Sequence, residues 1–143
     1  LDRATGNQMR SANFTVIGLP APQGSKRHVG KGVMIEMSKN VKPWREAVKW
    51  AIRDELGPDF ETIVGPVEVR IDFQLRKPKS SPKKRLHPDR WPDIDKLIRS
   101  TLDAITQSSV IEDDARVVRL SGTKSFCAAG GKPGAHIRVE SMG

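Results

Sequence analysis

Cysteine occurs once in the 143 residues, at Cys127; tyrosine is absent, aromatic residues make up 5% and there are three histidines. A single thiol excludes an internal disulfide framework, and the lack of Cys/His clusters excludes a structural zinc site of the usual kind. No stretch approaches the roughly 20 apolar residues that span a bilayer, and the polar N-terminal stretch carries no hydrophobic signal segment. The expectation is a cytoplasmic protein with no membrane partner. There is no glycine-rich phosphate loop and no Ser or Cys nucleophile pattern, and His87 alone lies near the acidic residues in sequence, within a loop. With so few aromatics, recognition of a nucleic acid should rest on its shape and backbone rather than on base stacking.

What is present is charge. Lys and Arg total 25 against 17 Asp and Glu, a formal net charge of +8 with a pI near 10.0, which favours a polyanionic partner. Inside this basic chain five of the 17 acids fall in two short runs, Asp93-Ile94-Asp95 and Glu112-Asp113-Asp114. A protein that only gripped nucleic acid would be weakened by acids on its basic surface, since each repels phosphate. A divalent cation held by those acids reverses the local sign, so the contrast points to a metal-dependent nuclease.

The length fits one domain with a modest core. Residues 1–12 are polar and aperiodic and are expected to form a flexible arm, leaving 13–143 as the domain. Residues 13–19 (NFTVIGL) read as a strand closed by the turn-rich stretch 20–25, with Lys26 and Arg27 following in a loop. A short apolar piece, 33–37, reads as a second strand. The recurrence of Trp44, Val48, Ala51, Ile52 and Leu56 predicts an amphipathic helix over 42–56 with Pro43 in its first turn and Gly57-Pro58 as its stop. Trp50 falls off the apolar stripe. Strict alternation over 67–76 predicts the clearest strand. Residues 77–92 interleave Lys77, Lys79, Lys83, Lys84, Arg85 and Arg90 with four prolines, a basic extended loop. A helix is predicted over 93–106, with Leu97, Ile98, Thr101, Leu102 and Ile105 buried and Lys96, Arg99, Ser100 and Asp103 turned away. Strands over 116–126 and 135–140 are expected to pair as an antiparallel hairpin. The whole reads as an α+β fold, a mixed sheet of about four strands packed with two main helices.

Magnesium takes oxygen ligands in octahedral geometry and keeps several waters, so two or three carboxylates suffice to hold it beside a phosphate. Asp93 and Asp95 lie about 200 degrees apart round an ideal helix and converge only if Asp93 stays outside the first turn as an N-cap. Pro92 favours that extended entry by holding the residue before it, Trp91, out of the helical region. Asp114, a helix and a turn further on, is expected to return to the helix entrance; Asp113 and Glu112 compete for the same role. Arg99, one turn after Asp95, either pairs with it or stabilises the charge that builds on a phosphate under attack. The cations expected to hold nucleic-acid backbone are Lys26, Arg27, Lys77, Lys79, Lys83, Lys84, Arg85 and Lys96.

The segments DIDKLIR (93–99), LDAI (102–105) and VIEDDARV (110–117) resemble the RusA family of Holliday junction resolvases, which carries D-x-D-N-L-x-K, an internal D-A-L and D-D-x-x-V at the same spacing. The loop PAPQGSK (20–26) is similar to the family's proline-rich loop after its first strand. The resemblance implies a RusA-like fold over 13–140 and a homodimer. It also implies magnesium, with manganese able to substitute, held by Asp93, Asp95 and Asp114, and so favours Asp114 over its neighbours. The family's catalytic lysine falls on Arg99, and Lys96 replaces its usual asparagine. Arginine keeps the charge but cannot exchange a proton near neutral pH. The implied activity is hydrolysis of branched DNA in recombination and repair, by paired symmetric nicks leaving 5′-phosphates, in a bacterial or phage-infected cell and without an organic cofactor. The alternative is a junction-binding architectural protein that does not cut.

Overall fold

The computed structural model describes residues 10–24 and 31–143, with side chains of the first helix described from Lys39 onward. Strand β1 (Ser11–Ile17) is followed by helix α1 (Lys31–Leu56), strand β2 (Val67–Leu75), helix α2 (Ile94–Gln107), a 3-10 turn at Asp114–Arg116, and strands β3 (Val117–Phe126) and β4 (Gly134–Ser141). Both helices lie on one face of a single mixed sheet ordered β1-β4-β2-β3, the α+β architecture expected.

The core follows from period-two patterning. Alternate residues of β1 (Ala12, Phe14, Val16), β2 (Val67, Val69, Ile71, Phe73) and β4 (Ala135, Ile137, Val139) are buried against Trp44, Val48 and Ile52 of α1 and Leu97, Ala104 and Ile105 of α2. Each large apolar side chain so buried contributes about 1.5–3 kcal/mol. Trp44 also donates its indole N–H to Thr101 Oγ1 at 3.1 Å, so the helix pair is fixed by a satisfied polar contact inside the core.

Four expectations are corrected. Residues 33–37 belong to α1, which begins at Lys31 and carries Pro43 in its interior; a five-residue apolar run is ambiguous between strand and helix, and no turn follows it before the helical pattern. Strand β1 begins at Ser11, inside the stretch expected to be a flexible arm. Ser100, expected on the polar face, is fully buried, its hydroxyl donating to the carbonyls of Ala21 (2.6 Å) and Leu97 (3.0 Å).

The last correction concerns topology. β3 and β4 do not form a hairpin: β3 pairs in parallel with β2 at the sheet edge, while β4 inserts antiparallel between β1 and β2. Their burial explains the order. β4 is buried at Gly134, Ala135, Ile137 and Val139, whereas β3 has no buried residue, so the apolar strand takes the centre and the polar one the edge. Gly134 makes the central position possible, because a Cβ there would lie 1.9 Å from the Val16 carbonyl oxygen.

Candidate active site and nucleic-acid interface

Asp93 is the N-cap of α2 with extended backbone (φ −68, ψ 137), and its side chain makes no capping hydrogen bond. It therefore stands outside the first turn, as two carboxylates two residues apart require if they are to converge. Asp95 is exposed in the first turn. Among the described residues, no ion pair includes Asp93, Asp95 or Arg99, so the i,i+4 pairing of Asp95 with Arg99 is not formed. Arg99 is exposed one turn along from Asp95.

The second acidic run divides by role. Glu112 accepts from the Gly65 amide at 2.9 Å and pairs with Arg116 at 3.2 Å; Asp113 caps the 3-10 turn by accepting from the Ala115 amide at 3.2 Å. Both are occupied in holding the segment that leads into β3. Asp114 is exposed, and one of its oxygens accepts a hydrogen bond from the Thr106 hydroxyl.

That contact contradicts the expected return of Asp114 to the helix entrance. Thr106 belongs to the last turn of α2, eleven residues beyond Asp95, which is about 16 Å along the axis at 1.5 Å per residue. Consistent with this, no group of three or more His, Cys, Asp or Glu among the described residues is placed to hold a metal ion. The three aspartates thus do not fit a complete metal site within one chain; Asp93 and Asp95 supply one end and Asp114 the other. The residues between them are ordered. Positions 95, 99, 102 and 106 recur at i, i+4, i+7 and i+11 and share one face of α2, so Asp95, Arg99, Leu102 and the Thr106–Asp114 pair form a single strip.

Neighbouring elements fix the helix entrance. Lys124 of β3 donates through Nζ to the carbonyls of Arg90 (3.0 Å) and Pro92 (2.9 Å), clamping the chain just before Asp93. Gly122 leaves room for the Ile98 side chain of α2, whose Cδ1 would lie 2.8 Å from a Cβ at that position. The proline loop after β1 is tied to α2 by Gln23, whose amide donates to the Lys96 carbonyl at 3.0 Å. Sequence reasoning missed Lys124, Gly122 and Trp91, whose importance depends on which strand lies beside the helix.

The basic loop is braced rather than loose. The guanidinium of Arg85 lies 5.4 Å from the centroid of the Phe126 ring, donates to Asp89 at 3.2 Å and to Ser81 at 3.3 Å, and holds the Asp89 carboxyl below its ordinary range, first through that hydrogen bond. Lys77 Nζ lies 5.5 Å from the same centroid and donates to the Lys83 carbonyl. Of the cations expected to contact backbone phosphate, Lys79, Lys83 and Lys84 are exposed, Lys77, Arg85 and Lys96 are half-buried, and Lys26 and Arg27 lie outside the described residues. The sheet face away from the helices is less suited to DNA, because Arg70–Asp72, Arg119–Glu68 and Arg138–Glu140 neutralise one another across it.

An α+β domain that sets uncommitted carboxylates and an arginine on one helix beside a braced lysine loop has the make-up of a nuclease. The family profile described as Endodeoxyribonuclease RusA matches residues 18–140, and the chain belongs to that family. No individual curated protein is matched. The family consists of endonucleases that act on branched DNA junctions and generally use a divalent metal.

Proposed function

We propose that the protein is a magnesium-dependent, structure-selective endodeoxyribonuclease that resolves four-way junctions as a homodimer, cutting DNA in the cytoplasm of a bacterial or phage-infected cell. The observation that carries this reading is the strip on α2, with the uncommitted Asp95 carboxylate at one end, Asp114 held by Thr106 at the other, and Arg99 and Leu102 between. A two-fold axis crossing the strip near its middle would set a partner's α2 antiparallel to it and bring Asp114 of one copy to Asp93 and Asp95 of the other.

The flank beside the strip supports such a contact. β3 is an edge strand with one side unpaired, and Leu120, on the same sheet face as Gly122, is 44% exposed; Val118 is 62% exposed beside a register shift of the ladder. Ile98 and Leu102 of α2 are half-buried, and Ile98 reaches Gly122 on the same strand. An apolar edge left open in this way is a ready interface. A dimer also matches the substrate, since a four-way junction has two-fold symmetry and needs two opposed nicks.

A bound magnesium ion would polarise the phosphoryl group and lower the pKa of an attacking water. Asp93, Asp95 and the partner copy's Asp114 would hold it. Arg99 stabilises charge on the non-bridging oxygens and takes no proton, because its guanidinium stays charged. The exposed lysines of the 77–92 loop hold the arms through their phosphates, so binding weakens steeply with salt.

The test is to offer four-way, three-way, flap and linear duplex DNA under a magnesium titration. The expected result is paired symmetric nicks in the four-way substrate, sealed by a DNA ligase as 5′-phosphate ends require, with activity also in manganese. Linear duplex cut as fast as the junction would contradict the structure selectivity. Junction binding without nicking in either metal would favour the architectural alternative.

A further inference from the structure

The helices and the sheet leave a groove of about 420 Å³ beside the entrance to α2, bounded by the proline loop after β1, the ends of β2 and β3, and the last residues of the basic loop. Its volume falls within the roughly 300–1,000 Å³ usual for small-ligand sites. Among the described residues Arg76, Arg85 and Arg90 line it and no acidic residue does, so it suits an anion. Its floor is Phe126, fixed beneath Arg85 and Lys77.

Trp91 stands at the rim, 63% exposed and two residues ahead of Asp93. An exposed indole is ordinarily free to move, but here the Lys124 ammonium grips the carbonyls of Arg90 and Pro92, one on each side of it. The backbone carrying the ring is therefore fixed while the ring itself faces solvent. Arg85 is paired with Asp89, whereas Arg76 and Arg90 are in no ion pair among the described residues; a held aromatic beside such cations is how proteins bind unpaired strand, the ring stacking on a base and the cations meeting its phosphate.

We propose that this groove receives an unpaired nucleotide at the branch point, its base stacked on Trp91 and its phosphate held by Arg76 and Arg90. The assignment rests on the junction-cutting reading and adds to it how a branch would be told from duplex. In uninterrupted duplex every base is paired and stacked on both sides, and extruding one opposes binding; at an opened crossover the flanking pairs lose a stacking neighbour, so a base there is extruded at lower cost.

The test measures, without divalent metal, the affinity of the full chain for three DNAs: a four-way junction with 2-aminopurine at the crossover, a linear duplex and an oligothymidine. Trp91→Ala should weaken junction binding by about 5- to 150-fold, the range for loss of one stacked base, and leave duplex binding unchanged. Trp91→Phe should restore most of the loss, and wild-type protein should change the 2-aminopurine fluorescence where Trp91→Ala does not. Equal weakening on duplex, no weakening on the junction, or failure of phenylalanine to rescue would overturn the assignment. An oligothymidine bound as tightly as the junction would overturn its restriction to the branch point. Wild-type cleavage of the junction in magnesium separates the two readings: if it is present while Trp91→Ala binds normally, only the groove assignment fails.

Discussion

Asp95→Asn and Asp114→Asn should each lower the rate of junction nicking in magnesium by about a thousand-fold or more, although the two residues sit at opposite ends of α2. A thousand-fold is about 4 kcal/mol at the transition state, the scale of stabilisation that a bound metal supplies. Asparagine keeps the size of the side chain and removes the charge that would hold the ion. Junction binding in the absence of metal should be unchanged or slightly tighter, since a carboxylate near phosphate opposes binding. The neighbours provide the contrast. Asp113 and Glu112 are occupied by the Ala115 and Gly65 amides, and their amide replacements retain an acceptor oxygen. Asp113→Asn and Glu112→Gln should therefore keep nicking within a few-fold of wild type. Single-turnover cleavage with saturating enzyme reads the difference. Loss of activity at Asp113 with none at Asp114 would reverse the choice between them.

Leu120→Glu should convert a dimer to a monomer and abolish nicking without unfolding the chain. Leu120 is 44% exposed on the edge strand, so a charge there is tolerated by the isolated domain, where surface substitutions usually change stability by under 0.5 kcal/mol. In a dimer closed through this flank the same carboxylate would be buried without a partner. A central apolar contact of that kind is worth about 2–4 kcal/mol, raising the dimer dissociation constant from roughly 30-fold to nearly 1,000-fold before the cost of the buried charge. Sedimentation equilibrium gives the mass, thermal melting the stability, and the junction assay the activity. A variant that stayed dimeric and active would place the interface elsewhere; a monomer cutting at the wild-type rate would show that one chain suffices.

Much of this arrangement can be read from the sequence, and what cannot has physical causes. The alternation over β2 and the stripe Leu97-Thr101-Ile105 on α2 are local, repeated signals, and both elements form within a residue or two of the expected bounds. The extended entry at Asp93 also follows from local chemistry, since aspartate is a favoured N-cap and an N-cap residue takes extended backbone. Long-range order is different. Whether β4 pairs with β3 or slips between β1 and β2 depends on which strand buries more apolar surface in the finished sheet, and adjacency in the chain favours the wrong answer. The roles of Lys124 and Trp91 depend on that order, because only a parallel β3 beside β2 brings the Lys124 ammonium to the carbonyls flanking Trp91.

The acids illustrate the same division. Spacing within one chain allowed Asp114 to return to Asp93, and the hydrogen bond to Thr106 holds it at the far end of the helix instead. A symmetric second copy has no signature in residue spacing. The proposal of one arises only once α2 is folded and its strip runs from acid to acid.

The most direct measurement mixes the two inactive variants, Asp95→Asn and Asp114→Asn, and allows their subunits to exchange before four-way junction and magnesium are added. If each site takes Asp93 and Asp95 from one copy and Asp114 from the other, a mixed dimer has one intact site and one lacking both acids. Mixed dimers form about half of an equilibrated population, so nicking should return to about a quarter of the wild-type rate, as single rather than paired cuts. A mixture as inactive as either parent, with subunit exchange verified, would contradict a site shared between two copies.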